Sequence, residues 1–227
     1  MKIIEVANLK EATKYAVEIV LNESSKYDST FNIALTGGHF GTSFTKRLAL
    51  ENIDYKKWQI FQTDERFVTS SEKFSIQKII INKLFGENEQ YIKSANFFNL
   101  NNGLTNAISE MSKLLDKKNI KKFDLTLLSL GEDGHLAGDF PQSFFSNDKR
   151  ICWTKKANKL PRERISFSAK WLSSSNLVIV CVVGKNKEES YLSWVNGSGF
   201  HSEIIQASDN FIILKDKKIK KNNKIQE

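Results

Sequence analysis

The sequence is poor in cysteine, which limits the kinds of framework it can build. Cys152 and Cys181 are the only two cysteines among 227 residues, and neither belongs to a CxxC pair or has a neighbouring histidine. Disulfide scaffolds and structural metal sites need more of these residues at closer spacing. We therefore expect two buried, reduced thiols, no metal site and a cytoplasmic protein.

Long hydrophobic runs are also missing. No apolar stretch approaches the roughly 20 residues that a membrane-spanning helix needs. The first residues, MKIIEVANLKEA, contain neither a long apolar segment nor the small-residue cleavage site of a secretory signal. The sequence thus predicts neither a membrane partner nor a secretory signal.

The net charge of +8 would suit nucleic-acid binding, but the charge is unevenly distributed. Residues 215–227 (KDKKIKKNNKIQE) contain six lysines against two acidic residues, and so carry half of the excess. This Lys/Asn-rich segment has no aromatic residues for base stacking, and its composition predicts a solvated, disordered tail. The remaining residues, 1–214, form a mildly basic domain that suits an anionic small molecule at least as well as a polyanion. We expect no nucleic-acid partner.

Short apolar strands alternate with segments of helical periodicity along this domain. The predicted strands are residues 2–6, 31–35, 58–62, 123–130, 151–153, 177–183 and 211–214. One predicted helix follows the capping residue Asn8, and the others cover about 42–51, 75–85, 104–115 and 185–195. This alternation with short connections predicts an α/β fold of one domain. The sheet is expected to be doubly wound and mostly parallel, with helices on both faces in a Rossmann-like, three-layer arrangement.

The most chemically informative stretch is residues 123–141 (FDLTLLSLGEDGHLAGDFP). Its apolar first half predicts a strand buried on both faces, and the strand is followed at once by Asp133 and His135. Ligands of open α/β sheets bind at the carboxyl ends of the strands, so both residues are candidate catalytic groups. A structural histidine is the alternative for His135. Turn formation is an equally good explanation of Asp133, because Asp-Gly is a turn signal.

Glycines follow another predicted strand. Gly37, Gly38 and His39 stand between residues 31–35 and the next helix, an arrangement that aims backbone N–H groups and a helix dipole at an anion. The spacing fits neither a P-loop nor a GxGxxG motif, and an ordinary tight turn is the better explanation of the glycines alone.

Charged residues follow two more predicted strands. Asp64 and Arg66 come directly after residues 58–62, and Lys187 comes after residues 177–183. A guanidinium makes bidentate contacts to oxyanions, although an ion pair with Asp64 or Glu65 is the alternative for Arg66. The carboxyl ends of parallel strands meet at one edge of the sheet, so we expect these residues to share one crevice with the catalytic candidates.

These motifs resemble those of the glucosamine-6-phosphate isomerase/6-phosphogluconolactonase family, over nearly all of residues 1–214. The family's SGGS, W…DERxV, FDLxLLGxGxDGHxASLFP, RIT and TGxxK patterns are similar to TGGH at 36–39, W58 with DERFV at 64–68, residues 123–141, RIS at 164–166 and GKNK at 184–187. The DGH block is the most specific of them.

The resemblance implies hydrolysis of 6-phospho-D-glucono-1,5-lactone to 6-phosphogluconate in the oxidative pentose phosphate pathway, with no metal and no organic cofactor. It places His135 on the general base, and an imidazole, whose ordinary pKa is about 6.5, suits that task. We expect Arg164 and Lys187 to contact the phosphate or the sugar. Because the family's domain is sometimes fused to glucose-6-phosphate dehydrogenase, fusion or association with that enzyme is implied as well.

The sequence departs from the family pattern at three places. His39 replaces the small hydroxyl residue after Gly-Gly, only Ser75 remains of an ESNY stretch, and Asp139 adds a carboxylate that we expect close to the site. These changes bear on substrate affinity more than on reaction type. Two other functions stay open: a deaminase-type enzyme, whose DEY and DGHIAFNEP patterns are missing here, and a sugar-phosphate-binding regulator without catalysis.

Overall fold

The protein forms two β-sheets in a computed structural model, which describes residues 1–69, 72–86, 89–206 and 210–220. The strands are β1 (Lys2–Val6), β2 (Phe31–Leu35), β3 (Trp58–Gln62), β4 (Asp64–Arg66), β5 (Ala95–Asn96), β6 (Leu125–Ser129), β7 (Phe144–Phe145), β8 (Ile151–Thr154), β9 (Arg164–Phe167), β10 (Leu177–Val182) and β11 (Phe211–Asp216). The helices are α1 (Leu9–Ser24), α2 (Gly38–Leu48), α3 (Ile76–Ile80), α4 (Glu89–Ile92), α5 (Leu104–Lys117), α6 (Ala169–Ser173), α7 (Glu188–Val195) and α8 (Ser202–Gln206). Short 3₁₀ turns occur at Tyr55–Lys57 and Lys185–Lys187, and a π-helical turn, Ile81–Phe85, continues α3.

The larger sheet has seven strands in the order β1-β11-β10-β6-β2-β3-β5, and its strand pairs are parallel. The chain runs outward from β2 through β3 to β5 and then returns to the other side of β2 as β6. The direction in which successive strands are added therefore reverses between β2 and β6, which makes this position the topological switch point of a doubly wound fold. The predicted fold class is confirmed.

The two faces of this sheet are covered by separate hydrophobic clusters. Phe61, Leu128 and Val180 project to one side, where α5, α6, α7 and the second sheet cover them. Ile60, Leu127 and Ile179 project to the other side, under α1, α2 and α3. Successive side chains of a strand point to opposite faces, so a strand buried on both sides must be apolar throughout, as these strands are.

The second sheet, of order β4-β9-β8-β7, is antiparallel, and the sequence pattern does not predict it. Thr63 is the point where the chain passes from one sheet to the other: its N–H donates to Leu35 (2.9 Å), and its carbonyl accepts from Phe167 (2.9 Å). Strand β4 consists of three charged residues, a composition that does not predict a strand. It forms by pairing with β9, about 100 positions further on. The second sheet folds the Arg164 end of β9 over the carboxyl edge of the main sheet.

Helix α2 begins at Gly38, several residues before the predicted start at 42–43. Glycine makes the early start possible. Gly38 has φ of +69°, and a Cβ on Gly41 would overlap the carbonyl oxygen of Thr36. The earlier start brings His39 into the first helical turn.

The C-terminal strand extends past the boundary expected at residue 214. Lys215 and Asp216 pair with β1 as part of β11, and the Lys215 Nζ donates to the carbonyl of Ile219 at 2.8 Å. Ile219 itself is buried. The described part of the predicted tail is thus packed on the domain as far as these contacts reach, and residues 221–227 lie outside the described residues. In the part of the chain that the structure describes, no helix has the length and apolar character needed to cross a bilayer.

Candidate active site

A cavity of about 780 Å³ lies at the carboxyl edge of the main sheet, next to the switch point between β2 and β6. It is lined by the segments that follow β2, β3, β6 and β10, and by the loop between β8 and β9, residues 155–163. The structure brings together all of the site residues predicted from the sequence: Gly37, Gly38, His39, Asp64, Arg66, Asp133, His135, Arg164 and Lys187.

Residues 131–135 form a tight turn at the end of β6, and this turn presents the acid and the imidazole. Its ends are closed by Gly131 N–H, which donates to the His135 carbonyl (2.9 Å), and by Gly134 N–H, which donates to the Gly131 carbonyl (3.2 Å). Gly134 has φ of +85°, which a residue with a side chain adopts only under strain. A Cβ on Gly131 would overlap the His135 ring, so glycine is needed there too.

His135 is held on two sides. Its Nδ1 forms a short hydrogen bond with Asp133 Oδ1, and its ring stacks on Phe140 with 4.3 Å between the ring centroids. Within the described residues, Nε2 has no hydrogen-bond partner. About a fifth of the His135 side chain, 22%, is exposed. The ring is therefore oriented by protein contacts while one nitrogen is free to exchange a proton.

Asp133 is ionised in this environment. Burial on its own raises the pKa of the carboxyl, but the hydrogen bonds and charge of His135 and the hydrogen bond from Asn158 outweigh it and lower the pKa to about 2. Asn158 Nδ2 donates to Oδ2 at 2.6 Å, on the side of the carboxylate away from His135. An ionised Asp133 accepts a hydrogen bond from Nδ1–H, so the neutral His135 ring has its lone pair on Nε2.

Arg66 is a half-buried cation whose charge is not paired within the described residues. Its Nη1 donates to the Phe74 carbonyl at 2.7 Å, and the alternative of an ion pair with Asp64 or Glu65 is wrong. Glu65 instead accepts from the backbone N–H groups of Ile76 (2.8 Å) and Gln77 (2.9 Å) at the start of α3. The guanidinium therefore keeps donors available on the cavity side.

Lys187 is the second cation in the cavity. Its Nζ donates to Ser129 Oγ at 2.7 Å, and burial lowers the pKa of the ammonium group. Ser129 ends β6, and the 3₁₀ turn that carries Lys187 follows β10, so two adjacent strands set this contact. A desolvated ammonium with a neutral partner gains from an anionic ligand.

Arg164 and Asp64 line the cavity, and the side chains of both already form hydrogen bonds within the protein. The Arg164 guanidinium donates to the carbonyls of Pro161, Glu163 (3.3 Å) and Lys159 (3.1 Å), and burial lowers its pKa to about 10. Asp64 is 6% exposed and accepts from Thr63 Oγ1 at 2.8 Å. Arg164 thus folds the loop 155–163, and contact of either residue with a substrate stays a prediction.

The glycine segment after β2 presents the N-terminus of α2 to the cavity. Gly37 precedes the first helical residue and has no side chain that could cap the helix. The first N–H groups of a helix have no partner within the helix, so those around Gly38 and His39 can bind an anion. His39 is exposed at the rim.

Asp139 does not lie at the site, and the expectation of an extra carboxylate there is wrong. It is 1% exposed, its Oδ2 accepts from Ala169 N–H at 2.9 Å, and His201 Nε2 lies 3.7 Å from the same oxygen. The chain reverses at the bridge between Leu136 and Asp139, and Ala137 within it has φ of +53°. That reversal sends the Asp139 side chain under α6, away from the cavity.

Three residues of the site escape the sequence analysis. Asn158 contacts Asp133, Lys159 forms an ion pair with Glu132 at 2.8 Å, and Ser129 contacts Lys187. Each contact joins residues at least 25 positions apart. No local pattern carries a signal for them, because they depend on how the loop 155–163 and the segment after β10 meet the turn after β6.

By fold and by the position of its cavity, the chain is a doubly wound α/β protein with its ligand crevice at the switch point of the sheet. A family model described as glucosamine-6-phosphate isomerases/6-phosphogluconolactonase matches residues 5–210. The chain belongs to this family.

Two relatives of this chain carry different activities in their names. 6-Phosphogluconolactonase 4 of Saccharomyces cerevisiae is 26% identical over 71% of this chain and 70% of its own length. Glucosamine-6-phosphate deaminase of Clostridium novyi is also 26% identical, over 96% of this chain and 98% of its own length.

Solved structures agree with the fold. The 6-phosphogluconolactonase of Thermotoga maritima has a TM-score of 0.84 and 18% identity, and the match covers 95% of this chain and 99% of that one. The Trypanosoma brucei 6-phosphogluconolactonase has a TM-score of 0.81 and 19% identity, with 96% and 97% covered. At this identity the likeness concerns the fold alone.

Proposed function

We propose that this protein hydrolyses 6-phospho-D-glucono-1,5-lactone to 6-phosphogluconate, as in the oxidative pentose phosphate pathway. The observation that carries the proposal is the oriented Asp133–His135 pair, whose imidazole lines a cavity and has no hydrogen-bond partner at Nε2 among the described residues. The same cavity contains Arg66 and Lys187, two cations that form no ion pair within the described part of the chain. The lactonase names of several relatives and the DGH block of the sequence support the same substrate.

His135 is the general base in the proposed mechanism. Nε2 takes a proton from a water molecule while the water oxygen bonds to C1 of the lactone, and the carbonyl electron pair moves to the oxygen as an oxyanion. The bond between C1 and the ring oxygen then breaks, and the proton on Nε2 passes to that oxygen. Asp133 stabilises the imidazolium between the two steps. The products are a hydroxyl and a carboxylic acid, which releases one proton at neutral pH.

The cations and the start of α2 bind the phosphate and the developing oxyanion. Arg66 offers bidentate donors, Lys187 offers a desolvated ammonium, and the Gly37–Gly38 segment offers backbone N–H groups with the positive end of a helix dipole. Arg66 either binds the phosphate or polarises the lactone carbonyl. No metal or organic cofactor takes part in this scheme.

Titration of acid release tests the proposal. The phosphorylated lactone also hydrolyses spontaneously, so the rate with protein is compared at constant pH with the rate in buffer and with the His135→Ala variant. We expect wild-type protein to release acid well above both controls. A wild-type rate equal to the buffer rate would reject the lactonase activity, and binding of 6-phosphogluconate by the silent protein would then favour a sugar-phosphate-binding regulator.

Deamination of glucosamine 6-phosphate is the second candidate function, because the Clostridium novyi deaminase aligns with nearly the whole chain. Arg66 in place of the deaminase branch's tyrosine, and the sequence Gly138-Asp139-Phe140, favour the lactonase. Ammonia release from glucosamine 6-phosphate separates the two. We expect none above the background, and a turnover faster than that of the lactone would reverse the assignment. Association with glucose-6-phosphate dehydrogenase stays a prediction.

A further inference from the structure

Asn158 is the one residue outside the turn 131–135 that, within the described chain, donates a hydrogen bond to Asp133. Its Nδ2 lies 2.6 Å from Asp133 Oδ2, while Oδ1 of the same carboxylate binds His135. The carboxylate is therefore held at both oxygens, by a different element at each. A carboxylate bound at one oxygen only would be free to rotate about its terminal bond.

The loop 155–163 that carries Asn158 is itself fixed. The Arg164 guanidinium donates to three carbonyls within it, and Lys159 Nζ pairs with Glu132 Oε1 at 2.8 Å. Two neighbouring side chains of the loop thus reach two neighbouring acids of the turn. The loop 155–163 therefore contacts the turn 131–135 through two side chains, and Asn158 is the one that contacts the Asp133–His135 pair.

We propose that Asn158 is a positioning residue, which holds the Asp133 carboxylate so that the His135 ring keeps its orientation at the cavity and its Nε2 stays free for proton transfer. The kinetic part of this proposal rests on the lactonase function proposed above. The effect on His135 itself does not, because it can be observed in the free protein.

The expected effect on proton affinity follows from charge. A donor on Oδ2 draws negative charge away from Oδ1, so Asp133 stabilises the imidazolium less than an unrestrained carboxylate would. Other titratable groups near this turn are Glu132 with its partner Lys159, then Lys187, and the buried His201. The substitution of Asn158 leaves all of these in place.

The test compares Asn158→Ala with a matched control, Asn176→Ala. Asn176 Nδ2 donates to Asp124 Oδ1 at 3.2 Å, the same kind of contact at the amino edge of the sheet. The chain has three histidines, so their ring signals can be followed one by one in an NMR titration, with His135→Ala for assignment. We expect the His135 midpoint to rise by about half a pH unit in Asn158→Ala and to stay unchanged in Asn176→Ala.

Kinetics give the second readout. In Asn158→Ala, kcat for the lactone should fall about tenfold with little change in KM, and the acid limb of its pH profile should move upward with the His135 midpoint. Asn158→Asp keeps the shape but adds a like charge beside Asp133, so the His135 midpoint should rise further than in the alanine variant.

The proposal is overturned if Asn158→Ala leaves the His135 midpoint and kcat at their wild-type values. It is equally overturned if kcat falls while the midpoint stays fixed and the melting temperature drops, because the residue would then act on folding alone. If wild-type protein has no lactonase activity but the midpoint moves as expected, the proposed function fails and the role of Asn158 stands.

Discussion

Two acid–imidazole pairs occur in the described part of the chain, and their surroundings differ. Asp133 and His135 face the cavity, and the pKa of Asp133 is lowered to about 2. Asp139 and His201 are buried, where desolvation raises the pKa of the acid and lowers that of the imidazole. The second pair also leaves Asp139 Oδ1 and His201 Nε2 without a hydrogen-bond partner. The same two kinds of side chain therefore form an accessible pair with an ionised acid in one place and a buried pair that disfavours charge in the other.

The difference teaches that an acid beside a histidine does not define a catalytic site. Hydrogen bonds from His135 and Asn158 make the charged form of Asp133 favourable, and the open side of the ring can exchange a proton. The buried pair has no room for a substrate, because both side chains are at most 7% exposed. We assign it a structural role, with Asp139 holding the start of α6 through Ala169.

The largest expected effect separates the two histidines. His135→Ala should lower kcat for the lactone about 100-fold or more, because it removes the general base. His201→Ala should change kcat less than about threefold, since its ring does not line the cavity, but it should lower the melting temperature because it opens a buried space. Steady-state kinetics and thermal denaturation of both variants measure this. Equal loss of kcat in the two variants at unchanged stability would contradict the assignment.

An intermediate effect separates the two aspartates through the pH dependence of stability. The folded-state pKa of Asp133 lies below that of an unfolded aspartate, about 3.9, so its contribution is present above that value and is lost as the pH falls toward 2. Asp133→Asn should therefore lower the free energy of unfolding by about 1–2 kcal/mol at pH 7, and by less at pH 3.

Asp139 should behave in the opposite way. Its folded-state pKa is raised, so the fold disfavours its charge, and the resulting destabilisation grows as the pH rises above about 4. Asp139→Asn should gain stability relative to wild type between pH 3 and pH 7. Urea unfolding of both variants at the two pH values measures the sign, and a loss of stability toward pH 7 in both would show that the pairs do not differ as described.

The smallest expected effect concerns the third histidine. His39 is exposed in the first turn of α2 and lines the cavity, so we expect it to donate to a bound phosphate and to take no part in proton transfer. His39→Ala should raise KM about two- to fivefold and leave kcat unchanged, while His39→Ser, which keeps a donor, should stay close to wild type. A fall in kcat in His39→Ala would move this residue into the catalytic group.

The parts of the molecule that follow from local pattern could be predicted. The strand β6 and the turn after it are encoded within about a dozen consecutive residues, and the rule that parallel strands share one carboxyl edge was enough to bring Gly37, Arg66, Asp133, His135 and Lys187 to one cavity. The start of α2 was predicted too late, because the close approach of Gly41 to Thr36 is a contact in space rather than a helical period.

The rest depends on distant partners. The antiparallel sheet exists because β4 and β9 pair across about 100 positions, and three charged residues give no sign of it. Asn158 reaches Asp133 across 25 positions, and no spacing rule links an asparagine on one loop to an aspartate on another. The direction of the Asp139 side chain is set by the positive φ of Ala137, which the sequence does not reveal.

The reversal at Leu136–Asp139 has a consequence for how this chain can vary. Residues 136–140 place the Phe140 ring against the imidazole, at the cavity, and the Asp139 carboxyl in the protein interior. This segment therefore separates the cavity from the interior. The number of residues in this segment is therefore constrained. Adding or deleting one residue there would change the direction of both the Asp139 and the Phe140 side chain, so this segment can vary in length less than the loops around it.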